Sequence, residues 1–284
     1  MLTWSPERPL DREDAATRSG GVAAPAAEPI KMTLMTEALS RDARLRASYD
    51  DEAEQYDANR YHSAEGRLFS NLEVTLLRRW LPLRPGARVL DMPAGTGRLS
   101  VALADTGATF VGTDISVNML KVAASKEPSA HRHLHFVQGS GVTLPFADNS
   151  FDAVLSFKFF HLVPNERKAA FIQEMVRVLK PGKTMVIEFN SPYYGGVMAA
   201  LRYYLRKKEP GDMRIKCLFP DQVPTLFRGL EVVRTYGVKL PFAGQLSRMF
   251  GERRTEALNL WFGKLPGIKY FAYAIMVEAR KPVR

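Results

Sequence analysis

Cysteine is almost absent from this chain of 284 residues, in which Cys217 is the only one. A single thiol cannot form an internal disulfide, and it leaves no cysteine cluster for a metal ion. The five histidines lack the His-Glu-x-x-His spacing of a zinc site, so we predict no metal centre. No stretch reaches the roughly 18 to 20 uninterrupted apolar residues of a membrane helix, and the first residues lack the apolar core of a signal peptide. We therefore expect a cytoplasmic protein.

Acidic side chains are scarce only in the last third of the chain. The formal net charge is +10, and from Ser191 onward 17 Lys and Arg stand against 7 Asp and Glu, so this third carries the whole surplus. Such asymmetry indicates an anionic partner, either a membrane surface, a phosphorylated substrate or a nucleic acid, unless the basic face is merely solvated.

Two units are predicted from composition. Residues 1–40 are rich in Pro, Ala, Gly and charge and show no apolar period, which predicts a disordered N-terminal extension. Residues 41–284 form the domain proper. The pattern turns helical over 38–61, and four apolar residues then recur every four positions, as on one face of a helix: Leu68, Leu72, Leu76 and Trp80.

Strands and helices then alternate, which predicts an α/β fold with a doubly wound, mostly parallel, seven-stranded sheet. Ser116 is expected to cap the helix after the second strand, and the helix before the fifth strand is expected to end at Pro181–Gly182. Two long segments, 191–229 and 241–268, are predicted to be lid insertions. The predicted strands are 87–92, 109–114, 133–138, 151–157, 183–189, 230–238 and 271–279.

The loop after the first strand is the most informative segment. Gly95 and Gly97 allow the backbone to approach a ligand closely, and the next helix begins with free N–H groups. Asp91 ends the strand, where a carboxylate would attract an ammonium group and repel a pyrophosphate. Ser100 stands where a dinucleotide-binding loop has its third glycine. Asp114 ends the second strand, where a carboxylate can accept bonds from ribose hydroxyls.

These segments resemble the class I S-adenosylmethionine-dependent methyltransferases, in particular the broad group that includes the ubiquinone/menaquinone-biosynthesis C-methyltransferases. The resemblance implies a Rossmann-like methyltransferase fold and S-adenosyl-L-methionine as the cofactor. It extends from Tyr49 to Asn190. It is carried by the Asp91 loop, Asp114 and the runs 49–57, 144–146, 150–154 and 177–182, the last continuing to Glu188 and Phe189.

The resemblance also assigns cofactor-binding residues, which are Asp91, Pro93, Ala94, Gly95, Gly97, Asp114, Ile115, Ser140, Gly141, Ser156 and Tyr56. Arg60 and Arg98 are further candidates, which we expect to reach the carboxylate of the cofactor. The chain departs from the family pattern in three places. Pro93 replaces the usual first loop glycine. Ser140 and Gly141 replace the acidic residue and its neighbour that meet the adenine amino group. The N-terminal motif of the quinone enzymes is absent after Tyr56 and Asp57.

Methyl transfer from a sulfonium asks mainly for positioning, which can supply roughly 7–11 kcal/mol. An acidic acceptor also needs a base, and the candidate is His161, just after the fourth strand. Residues 197–208 have the pattern of a basic amphipathic helix, and the second insertion is rich in aromatic residues beside arginines. These lids favour a small hydrophobic or lipid-like acceptor of quinone, prenyl or aromatic type, with peripheral contact to an anionic membrane.

Two alternatives stay open at this stage, an RNA methyltransferase and a non-methylating member of the fold that only binds the cofactor. Nucleic acid is disfavoured as a partner, because no RNA-binding module is recognisable and residues 156–159 do not resemble an Asn-Pro-Pro-Tyr motif. The oligomeric state and the acceptor atom are not predicted.

Overall fold

The computed structural model describes residues 27–126, 132–191, 193–194, 217 and 222–283, with side chains from residue 40 onward. The chain divides into two units, Met1–Ala43 and Arg44–Arg284. Helix α1 (Ala27–Glu52) begins in the first unit, inside the segment expected to be disordered, and the expectation for residues 1–26 lies outside the described residues. The second unit contains the sheet and both clefts described below.

The sheet has seven strands, as the sequence predicts, and their order is β3-β2-β1-β4-β5-β7-β6. The pairs formed by β1 to β5 are parallel. Strand β7 runs antiparallel to both β5 and β6. The strands are β1 (Arg88–Asp91), β2 (Thr109–Asp114), β3 (Leu134–Gln138), β4 (Phe151–Ser156), β5 (Leu179–Asn190), β6 (Glu231–Val238) and β7 (Ala274–Arg280).

Helices join the strands and precede the sheet. Two serines cap helices: the hydroxyl of Ser63 accepts a bond from the amide of Gly66, and that of Ser116, as predicted, from the amide of Met119. The remaining helices are α2 (Tyr56–Tyr61), α3 (Ala64–Trp80), α4 (Arg98–Ala102), α5 (Val117–Ser125), α6 (Asn165–Val178), α7 (Val223–Leu226), α8 (Ala243–Phe250) and α9 (Glu252–Phe262). None of the described helices is both long and apolar enough to cross a membrane.

Two hydrophobic clusters cover the two faces of the sheet. Successive strand residues point to opposite faces, so Val89 belongs to one cluster and Leu90 to the other. Helix α3 packs its predicted apolar stripe into the first cluster, with Leu68, Leu72 and Leu76 buried. Helix α6 contributes to the second cluster. The sheet is therefore covered on both sides, as a doubly wound fold requires.

The boundary between α6 and β5 differs from the prediction. Helix α6 ends at Val178, and Leu179 already pairs with Phe151 of β4. Pro181 and Gly182 do not end a helix but lie within β5, where the register shifts between Phe151 and Ala153. Gly182 adopts a φ of 72°, which a bulge can require.

The structure describes one of the two predicted lids completely and the other only in small part. The segment 241–268 contains α8 and α9, which pack against each other and against α3. Most of 191–229 lies outside the described residues, including the predicted amphipathic helix at 197–208.

Candidate functional site

A cleft opens at the carboxyl ends of β1, β2 and β4. The strand order reverses direction between β1 and β4, which is where open α/β sheets bind ligands. Eight of the predicted cofactor residues line this cleft: Asp91, Pro93, Ala94, Gly95, Arg98, Asp114, Ile115 and Tyr56.

The carboxylate of Asp114 binds backbone amides of the loop after β1 and of the segment after β2. One carboxylate oxygen accepts a bond from the amide of Gly95 at 2.8 Å, and the other accepts one from the amide of Ser116 at 3.0 Å. Burial raises the pKa of Asp114 above its usual value, although backbone hydrogen bonds from Ser116, Gly95 and Ile115 oppose the rise. A carboxylate has about four acceptor positions, so at least one remains for a hydroxyl group of a ligand.

Asp91 lies deeper in the cleft and is 2% exposed. Its carboxylate accepts a bond from the hydroxyl of Ser100 at 2.7 Å, so the residue that replaces the third glycine of a dinucleotide loop positions this acid. Burial raises the pKa of Asp91 to about 6. A bound ammonium group would favour the charged carboxylate.

Two glycines of the loop have different tasks. Gly95 lines the cleft, and its φ is 52°. Gly97 precedes α4 with a φ of 70°, and a Cβ there would lie 2.9 Å from the Cβ of Ala123. Gly97 therefore permits the approach of α4 to α5 and is not among the lining residues.

The other predicted cofactor residues lie around the cleft without lining it. Ser140 pairs with Thr143 in an isolated bridge after β3. A Cβ at Gly141 would lie 2.7 Å from the sulfur of Met92. Ser156 is fully buried, and its hydroxyl bonds to no described residue. Cofactor contacts by these three residues stay predictions.

A second cleft adjoins the first. The two clefts share four lining residues, Tyr49, Tyr56, Tyr61 and Lys158. The second is also lined by Arg60, Ser63, Glu65, Gly66, Phe69, His161, Lys239 and Tyr273. Arg60, predicted for the cofactor, thus faces the second cleft, where it pairs with Glu52 at 3.0 Å and lies over the Tyr56 ring.

His161 lies in this second cleft and makes no hydrogen bond within the described part of the chain. Burial, together with the positive charges of Lys158, Arg60 and Lys168, lowers the pKa of His161 to about 4. The imidazole is therefore neutral at physiological pH and can accept a proton.

A buried ionic network separates the two clefts. The ammonium of Lys158 lies 2.9 Å from one oxygen of Glu73 and 3.0 Å from one oxygen of Glu188. The guanidinium of Arg98, predicted to reach the cofactor carboxylate, bonds to Glu73 at 2.5 Å and to Ser70 at 2.8 Å. Glu73 and Glu188 are 0% and 2% exposed.

Sequence reasoning missed this network and most of the second cleft. One available signal was Glu73, because it lies on the apolar face of α3 between Phe69 and Leu76. An acid at such a position is buried and must have a partner. The described residues contain no group of three His, Cys, Asp or Glu side chains that could hold a metal ion.

The residues of the first cleft fit S-adenosylmethionine. In the predicted assignment, the carboxylate of Asp91 would bind the ammonium of the methionine part, and Asp114 would accept a hydrogen bond from a ribose hydroxyl. The amides at the start of α4 suit a carboxylate. The apolar side chains of Ile115, Met119 and Leu99 complete the lining.

The ribose assignment predicts that Asp114→Ala weakens binding of S-adenosylmethionine at least tenfold, because each hydrogen bond lost from a charged group costs about 1.5–3 kcal/mol. Isothermal titration calorimetry measures the change. Asp148→Ala, which removes an exposed acid paired with Arg177, is the control and should bind as the unmodified protein does. Equal affinities for the two variants would refute the assignment.

Comparisons with known proteins agree with this geometry. A family described as Methyltransferase domain matches residues 90–187, from β1 into β5. A demethylmenaquinone methyltransferase of Renibacterium salmoninarum is 38% identical over 179 residues, which cover 60% of this chain and 69% of that protein. One of Corynebacterium efficiens is 37% identical over 178 residues, covering 62% and 73%.

A solved S-adenosylmethionine-dependent methyltransferase from Archaeoglobus fulgidus shares the fold, with 20% identity and a TM-score of 0.52 over 80% of this chain and 98% of its own. The resemblance found in the sequence is thereby confirmed. The chain belongs to the class I S-adenosylmethionine-dependent methyltransferases, in the family that includes the demethylmenaquinone methyltransferases.

Proposed function

We propose that this enzyme transfers the methyl group of S-adenosylmethionine to a quinone-type acceptor bound in the second cleft. The observation that carries the proposal is the shared wall: Lys158 and three tyrosines line both clefts, so a donor in one directly adjoins an acceptor in the other. The names of the relatives support a quinone acceptor, since both are demethylmenaquinone methyltransferases.

The bound cofactor supplies a methyl group that its sulfonium already activates. The chain's own residues then have to align the acceptor and exclude water. Tyr49 and Tyr56 lie 6.2 Å apart between ring centres, and Tyr56 and Tyr61 lie 6.5 Å apart, so the three rings cover the junction of the clefts. Burial raises the pKa of Tyr56 and of Tyr61 to about 12, which keeps both phenols neutral donors.

The proposal predicts that the purified chain moves radiolabel from S-adenosylmethionine to a reduced demethylnaphthoquinone, a quinol that lacks the ring methyl group. Asp114→Ala should abolish most of the transfer and Asp148→Ala should not. Parallel reactions with total RNA and with a phospholipid extract decide between acceptor classes. Label in RNA or in phospholipid, with none in the quinol, would contradict the proposal.

His161 is the group we assign to proton removal from the acceptor. It lines the second cleft, and its neutral ring has a lone pair available at physiological pH. Its low pKa makes it a weak base, so it can act only if the acceptor's hydroxyl is acidified by its surroundings.

His161→Ala is therefore expected to lower kcat by about 10²–10⁴-fold, the usual contribution of a positioned base. Affinity for S-adenosylmethionine should stay nearly constant, because the ring lies outside the first cleft. The rate of the unmodified enzyme should show no inflection near pH 6.5, since the histidine remains neutral down to about pH 4. Full activity in the alanine variant would assign His161 to packing.

Helices α8 and α9 expose apolar side chains of the kind that a helix usually buries. We assign this surface to contact with an anionic membrane. Both helices bury small or polar residues, namely Ala243, Ser247, Thr255 and Asn259. Several of their large apolar residues are exposed instead, as are Arg248, Arg253 and Arg254, while Leu246, Leu260 and Phe262 are half-buried. We call this surface the α8–α9 face; its apolar members are Phe242, Met249, Phe250, Leu258 and Trp261.

The α8–α9 face lies beside the mouth of the second cleft. A Cβ at Gly244 of α8 would lie 3.5 Å from the carboxyl group of Glu65, which lines that cleft and pairs with Lys239 at 2.8 Å. A bilayer satisfies both kinds of exposed residue, because the headgroups attract arginines and the interface accepts aromatic rings. A membrane-dissolved acceptor would enter from this side.

We predict that the protein sediments with anionic vesicles of phosphatidylglycerol and phosphatidylcholine at low salt. Arg253→Gln with Arg254→Gln should weaken the binding by about 2 kcal/mol, roughly 30-fold, at about 1 kcal/mol per basic residue. The control removes two exposed arginines near the far end of α3, Arg79→Gln with Arg84→Gln, and should leave binding unchanged. Equal losses in both double variants would argue for net charge alone and against this face.

A further inference from the structure

Packing alone does not explain why charged side chains form the wall between the two clefts. Lys158 contacts Glu73 of α3 and Glu188 of β5, and it lies 3.3 Å from the centre of the Phe69 ring. Its backbone adopts a φ of 53°, a left-handed conformation that is uncommon for lysine. The chain is therefore held in an unfavoured conformation at the point where Lys158 meets both clefts.

We propose that Lys158, clamped between Glu73 and Glu188, maintains a net positive charge at the wall between the clefts, and that this charge binds the acceptor as an oxyanion. Lys158 is on this proposal a positioning residue that selects acceptors with an acidic hydroxyl group. The inference rests on the proposed function, because it concerns the acceptor of that reaction.

The net charge follows from the two carboxyl groups. Burial raises the pKa of Glu73, but the charges of Arg98 and Lys158 outweigh burial and hold that pKa below its usual value. Burial and the neighbouring Glu73 raise the pKa of Glu188 above its usual value, against the effect of Lys158. The two carboxyl groups also hydrogen-bond to each other, which requires one proton between them, so one carboxylate stands against the two cations and the network keeps one positive charge.

Other charged or titratable groups face the network without cancelling that charge. Tyr61 from α2 lies against the Arg98 guanidinium, 4.6 Å from the ring centre, and stays neutral. Lys239, after β6, also faces the Phe69 and Tyr273 rings, but Glu65 neutralises it. Arg60 is neutralised by Glu52.

The same field acts on His161 and on the acceptor. After burial, the charge of Lys158 makes the largest contribution to the lowered pKa of His161. A positive charge disfavours a protonated imidazole and favours an ionised hydroxyl, because each group becomes more negative by one charge when it loses its proton. Lys158 therefore lowers the pKa of the acceptor's hydroxyl group as well as the pKa of His161.

The reaction balances without any further reagent. The acceptor's hydroxyl first gives its proton to His161 or to water. A ring carbon of the oxyanion then forms the bond to the methyl carbon as the bond from that methyl carbon to sulfur breaks, and the bonding pair stays on sulfur. The ring carbon finally loses its own proton while the oxygen regains one, so one proton is released overall. The positive charge of the donor and the negative charge of the acceptor disappear together.

A chromogenic phenol tests the inference without methyl transfer. We choose 4-nitro-1-naphthol, whose ionised form absorbs visible light, and measure its pKa by titration in solution and bound to the enzyme saturated with S-adenosylhomocysteine. The expected bound pKa is about one to three units below the solution value, the range for an adjacent opposite charge. Lys158→Arg should preserve this drop and Lys158→Met should abolish it.

Two further variants separate charge from structural damage. Glu73→Gln combined with Glu188→Gln removes both carboxyl groups of the network and should lower the bound pKa further, the opposite direction from a loosened site. Glu231→Gln with Arg280→Met removes an exposed ion pair between β6 and β7 at constant net charge and should leave the bound pKa as in the unmodified enzyme. If Lys158→Met does not fold, the direction of the change in the double Gln variant decides.

The inference is overturned by a bound pKa equal to or above the solution value, by failure of the dye to bind, by the same drop in Lys158→Met, or by a rise in the variant with both Glu73→Gln and Glu188→Gln. The labelled quinol reaction separates this failure from that of the proposed function. Methylation of the quinol with an unshifted dye rejects only the oxyanion site. A shifted dye without quinol methylation rejects only the quinone acceptor.

Discussion

Between β1 and β4 the order of the parallel strands reverses direction, and the rest of the site depends on that reversal. The connections that leave the two strands lie on opposite faces of the sheet, so a crevice opens at their carboxyl ends. Asp91 ends β1 and Lys158 follows β4, so the crevice sets the acid of the cofactor loop beside the cation of the acceptor cleft. Asp114 joins them because β2 pairs with β1 in register.

The sequence allowed prediction of the cofactor half of the site because that half is local. Its residues come from two successive strand–loop–helix units, β1 to α4 and β2 to α5, whose strands are also neighbours in the sheet. The strand limits followed from apolar runs to within a few residues. The exception was the start of β5, where Pro181 and Gly182 have the composition of a helix terminator but serve a bulge in a strand.

The acceptor half could not be predicted in the same way. Glu73, Lys158 and Glu188 lie on three separate elements, and their contact depends on the register of β4 against β5 and on the depth of α3. Periodicity predicts that α3 is buried on one face, but it does not show which distant cation meets an acid there. The exposed apolar side of α8 and α9 could not be predicted for a related reason. An apolar pattern on a helix is normally interpreted as part of the core, and only tertiary contacts show otherwise.

Stability alone is a poor reason for the ionic network. Burying ions costs several kcal/mol each, and a buried ion pair replaced by well-packed apolar residues is often equally stable or more stable. The surroundings of Lys158 are already apolar, with Phe69 and Phe157 nearby, so an apolar wall would suit the fold. Breaking the existing network is another matter, because removal of one partner leaves a buried charge uncompensated, at about 3–5 kcal/mol. The network is unfavourable to bury, and any single substitution in it is destabilising, so stability does not account for it. We infer that its charge has a role in the two adjoining clefts.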